Sequence, residues 1–202
     1  MSEIYPVYKN ILGITSLWLM YPLVFYTFDD KIKKNTLMNI ACGWMWCAVL
    51  ISYLMWKDYN KHSLLYKLDI YFARGSFGFL LYFNIFDHTN SLNKYTRVCL
   101  PLGVISSYVT TCVLHSHSVL WLSQLTHSMF RFIGIWWAYL IFHQRIIPSR
   151  CAIISLLYWT HIFYYKYILC PSKGLDYQNN VNEYYNDSCE LMTLITYGII
   201  LF

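Results

Sequence analysis

Between Arg97 and Arg131 the chain carries no Asp, Glu, Lys or Arg. A bilayer-crossing helix needs about 20 mostly apolar residues, so this tract is too long for one crossing. His115-Ser116-His117-Ser118 divides it into two spans, 98–114 and 119–142. The same criterion marks spans at 10–28, at 35–56 between Lys34 and Lys57, and at 151–169. His161 sits near the middle of the last of these, and Lys166 can snorkel toward its end. The segment 69–86 reaches span length once Asp69 and Arg74 lie at or within its end. The apolar stretch 190–202 is too short to cross alone and adds a short C-terminal seventh segment.

Composition agrees with these tracts. Only 12% of the 202 residues are Asp, Glu, Lys or Arg, against roughly 25% in a soluble domain. With 57% hydrophobic residues, the chain cannot cover a soluble surface with charge. It is equally far from disordered, collagen-like and basic nucleic-acid-binding chains. Apolar residues come in runs rather than alternating, which argues against a β-barrel. Tyr and Trp gather at span ends, as at Tyr53, Trp56 and Tyr59, where amphipathic rings favour the headgroup level. Glu3 stands where a signal peptide would be basic, and no small-residue cleavage site follows, so the first span reads as a retained anchor. The expected fold is an all-α polytopic transmembrane helix bundle, a single membrane-embedded domain over 1–202.

Loop charge sets orientation. Lys31, Lys33, Lys34, Lys94, Arg97, Arg145 and Arg150 fall on one side; Lys9, Lys57, Lys61 and Lys67 fall on the other. This bias, though small, puts loops one, three and five in the cytosol and the N-terminus outside. Loop six, 170–190, then faces outward with Asp176, Glu183, Asp187 and Glu190. It contains Cys170, Cys189 and the sequon Asn186-Asp187-Ser188; a disulfide and a glycan would fit that face. The seven Cys include no CxxC pair, so no zinc framework is written into them.

Ionisable residues inside spans need a reason, since each opposes insertion. Gln124, His127, Arg131, Gly134 and Ala138 share one stripe of the fifth span, with His117 a turn beyond the boundary. Asp69, on a stripe with Ala73, Ser76 and Leu80, is the natural partner of Arg131. The pair can hold two helices in register without any chemistry. His161 is a lone histidine that a neighbour can satisfy. His115 and His117 point to opposite sides of a helix. His117 and His127 are about 15 Å apart along a helix axis and cannot share one ion.

No phosphate loop, GxSxG or HExxH occurs. The expectation is a multi-pass membrane protein acting as a structural or interaction component. Its partners are the lipid bilayer and other membrane helices, not nucleic acid, and no cofactor is predicted for it. The alternative is an intramembrane, lipid-acting hydrolase with Asp69, His127, Arg131 and His161 lining its site. Zinc on His127, His161 and Asp69 belongs to that alternative alone. A third reading, a small transporter or pore, is weakened because, away from their ends, the first two spans offer little beyond Thr15, Ser16 and Ser52 to a water path.

Overall fold

A computed structural model describes residues 12–13, 15–28, 35–57, 60, 62–86, 93–117, 120–143 and 148–164. Loop six with Cys170, Cys189 and its sequon, the segment 190–202, and Lys9, Lys31, Lys33, Lys34, Lys61 and Arg145 lie outside them. Among the described residues the chain is helical, without a strand. The helices are α1 (Met20–Phe28), α2 (Thr36–Lys57), α3 (Leu64–Phe86), α4 (Lys94–Ser116), α5 (Leu120–His143) and α6 (Pro148–Tyr164). Two, over Thr36–Trp56 and Lys94–Ser116, are long and apolar enough to cross a membrane.

Side-chain caps place several helix starts. Asn35 Oδ1 accepts from the Met38 amide at 2.8 Å, and Asn93 Oδ1 accepts from the Thr96 amide at 2.8 Å. Ser63 Oγ accepts from the Tyr66 amide at 3.2 Å, so α3 begins ahead of the expected boundary at Asp69. Each cap satisfies an amide that has no intrahelical carbonyl. Pro148 opens α6, where a missing N–H leaves nothing unbonded.

The first expected span is not one helix. A short helical stretch at 15–17 gives way to a turn at Trp18 and Leu19 before α1 begins. Leu19 N–H bonds to Ser16 O at 3.1 Å and Tyr21 N–H to Trp18 O at 3.2 Å, a tighter spacing than the α-helical one. Pro22 supplies the reason. Its ring clashes with the carbonyl four residues back, Trp18, if the helix continues, but is tolerated in a first turn.

The core centres on α5. Trp137, Ala138, Tyr139, Ile141 and Phe142 are fully buried, so neighbours surround this helix on every side. Trp137, Ala138, Ile141 and Phe142 pack with Leu23, Met38, Met45, Val49, Leu80 and Phe83. Ile135 and Tyr139 instead join Trp18, Tyr21, Phe25, Ile154, Tyr158 and Ile162. On α4, Gly103 lies against Ile133 of α5, and the Thr111 and Thr126 hydroxyls are 2.9 Å apart. Trp44 of α2 lies over Gly75 of α3, leaving no room for a Cβ, and its Nε1 donates to Phe72 O at 3.0 Å.

The α3–α4 corner follows from one proline. Pro101, inside α4, has no N–H to offer the carbonyl of Arg97. Asn84 of α3 takes that role, with Nδ2 donating to Arg97 O at 2.7 Å, while Arg97 Nη1 donates to Asn84 O at 2.6 Å. Asn84→Leu should therefore destabilise the protein by about 1–3 kcal/mol in thermal unfolding, the range for a buried group deprived of its partner. In a Pro101→Ala background, which restores a donor to that carbonyl, the loss should shrink. Equal losses in both backgrounds would show that the freed carbonyl is not what Asn84 serves.

Candidate functional site

Arg131 lies about midway along α5 and is only 6% exposed. A guanidinium keeps its charge, so its burial requires acceptors for its donors. Ser16, from the stretch before α1, accepts from Nη1. Ser52 of α2 accepts from Nη2 at 3.3 Å. His127, one turn back on α5, accepts from Nε at its own Nε2, at 3.1 Å. The Ser16 and Ser52 hydroxyls are 3.0 Å apart, and Ser16 also donates to Leu12 O at 2.8 Å.

Asp69 of α3 lies beside this cluster. Its carboxyl interacts with the Ser52 hydroxyl and lies within electrostatic range of Arg131. The two expected partners are thus linked as guanidinium, hydroxyl and carboxylate, with Ser52 between them. Tyr158 of α6 lies within electrostatic range of Arg131 and donates its hydroxyl to Ser128 O at 2.8 Å. Side chains from the stretch before α1 and from α2, α3, α5 and α6 therefore converge on one cation.

His161 is held elsewhere. Its Nδ1 accepts from Trp18 Nε1 at 3.2 Å, and the two rings meet edge to face. With His127 Nε2 and His161 Nδ1 engaged in this way, neither presents that lone pair to an ion. No group of three or more His, Cys, Asp or Glu that could hold a metal occurs among the described residues. Asp69, His127 and Arg131 are brought together; His161 is tied to the turn ahead of α1 instead. A groove of about 510 Å³ lies at the α3–α4 corner, lined by Asn84, Ile85, Lys94, Arg97 and Val98. Asn84 is about 22 Å along α3 from Asp69, so that groove does not serve the Arg131 network.

The sequence pointed to the charges but not to Ser16, Trp18 or Tyr158. Ser16 and Ser52 stood out there only as scarce polar residues of the first two spans. Their scarcity was the available signal, because an isolated hydroxyl in an apolar helix usually answers a polar group on a neighbour.

The network brings a guanidinium, two hydroxyls, an imidazole and a carboxyl within hydrogen-bonding or electrostatic range of one another. Arg131→Leu strands Asp69, and Asp69→Leu leaves Arg131 without a counter-charge; each should destabilise by about 3–5 kcal/mol. The double leucine variant should unfold, in detergent, at a higher temperature than either single variant. Strictly additive losses would mean that the two charges do not answer each other. No family model, curated protein or solved structure matches the chain.

Proposed function

We propose that the chain is a multi-pass membrane protein with six spans, serving as a structural or interaction component of its membrane. The observation that carries this reading is the placement of polarity. On α4, Val98, Leu102, Ile105, Val109 and Val113 are 46–57% exposed. The polar or small residues Gly103, Ser107 and Thr111 lie less exposed on the same helix, and Thr111 meets Thr126 of α5. Ile40, Leu50 and Leu54 on α2 and Ile153, Leu156 and Phe163 on α6 also point outward. In water such a surface would be an aggregation hazard. In lipid it is the expected exterior, with Gly103 and Thr111 turned to α5.

The Arg131 network supports a structural role over a reactive one. Its hydroxyl partners Ser16 and Ser52 are buried with it, at 0% and 5% exposure, and each of its three nitrogens already donates to an acceptor. A group so enclosed holds helices together; a substrate would first have to break those bonds.

Two measurements test the proposal. The full chain should remain in the membrane pellet after alkaline carbonate extraction. In intact cells, with the native cysteines replaced by serine, a membrane-impermeant maleimide should label Lys61→Cys but not Arg145→Cys. Three spans separate those positions, so they belong on opposite faces. Release by carbonate, or labelling of both from one side, would overturn the multi-pass reading.

A further inference from the structure

The outward face of α3 carries a pattern that the Arg131 network does not use. Lys67, Tyr71, Arg74, Gly78, Tyr82 and Ile85 recur at steps of three and four, which places them on one stripe, and all are exposed. Asp69 is on the other side of the helix, committed to Ser52 and Arg131. It is also the only carboxylate among the described residues, so no described acid faces Arg74. From α4, Tyr108 lies within electrostatic range of Arg74. The two helices are tied at the Asn84–Arg97 corner and touch little elsewhere, which leaves this face open to lateral approach.

An arginine on the lipid-facing side of a span needs an anion. Arg74 lies ten residues into α3, about 15 Å from its start, and its long side chain can extend back toward Lys67. Lys67 is two turns nearer the membrane boundary on the same stripe. On the deeper side the surface changes character. Nothing lies within 4 Å of where a Cβ on Gly78 would sit, so the helix has a shallow trough there. Tyr82 and Ile85 continue it as an apolar path. A cation near the helix end, a second that reaches toward it from deeper, and then an apolar trough match, in order, the phosphate and acyl chain of a phospholipid.

We propose that this stripe binds an anionic phospholipid, its phosphate held by Lys67 and Arg74 beside Tyr108, and its acyl chain lying along Gly78 to Ile85. A net negative headgroup is favoured because a zwitterionic lipid brings its own cation to the two already present. The site rests on the membrane-spanning reading above.

Native mass spectrometry of the full chain, released from nanodiscs of equal phosphatidylglycerol and phosphatidylcholine, tests it. Phosphatidylglycerol should be retained in preference. Lys67→Gln and Arg74→Gln should each weaken its retention about fivefold, and the pair about 25-fold. Gly78→Leu, which fills the trough without changing charge, should also weaken it, and Lys94→Gln, an exposed cation elsewhere, should not. Unfolding midpoints in lipid-free detergent that match the parent's establish that these variants fold. Equal retention of the two lipids, retention unchanged in the double glutamine variant, or displacement of the lipid by inorganic phosphate alone would overturn the site. Carbonate extraction of the same preparations separates the two readings. A chain that is released has lost the membrane reading, whereas one that stays but shows no lipid preference has lost only the lipid site.

Discussion

A guanidinium inside a helical bundle dictates its own surroundings. It cannot shed its charge as a lysine or histidine can, and each N–H it brings indoors needs an acceptor. Arg131 meets that demand with two serine hydroxyls, a histidine ring nitrogen and the charge of Asp69. Those groups come from segments far apart in the chain. Satisfying one side chain therefore fixes the relative positions of the stretch before α1 and of α2, α3 and α5. Apolar packing alone would leave helices freer to rotate or slide, because one apolar contact substitutes readily for another.

The same logic explains why α5 is the hub. One length of it is buried all round by Trp137, Ala138, Tyr139, Ile141 and Phe142, while the preceding turns present Arg131, His127 and Thr126 to neighbours. Polar contacts elsewhere follow the rule that a missing backbone partner is replaced locally. Asn84 serves the carbonyl that Pro101 leaves open, and Trp44 reaches the backbone of α3 where Gly75 lets it approach. Breaks in regularity thus occur where a side chain from another helix compensates for them.

Much of the secondary structure was legible from charge-free tracts. Helices α2, α4 and α5 follow the expected segments closely, since long apolar runs admit few conformations that satisfy their backbone. Boundaries were less legible. Ser63 extends α3 upstream of Asp69, and Pro22 ends the continuity of the first segment. Both are short-range effects that a hydropathy window averages away. For the site, helical spacing singled out Arg131 and His127, and an acid at the start of a span singled out Asp69. The interposed Ser52, and the capture of His161 by Trp18, depend on which faces meet across the bundle, and hydropathy carries no such information.

Composition and periodicity by themselves determined that the chain is helical, that its helices are unusually apolar, and that its few internal charges require partners. These properties depend on residue type and near-neighbour spacing, so they can be read along one dimension. Partner choice was settled by packing. Ser16 and Arg131 are separated by 115 positions, and Trp18 and His161 by 143. Only the angles and offsets at which helices pack bring such residues within hydrogen-bonding distance. Those angles emerge from the fit of many side chains together rather than from any one stretch of sequence.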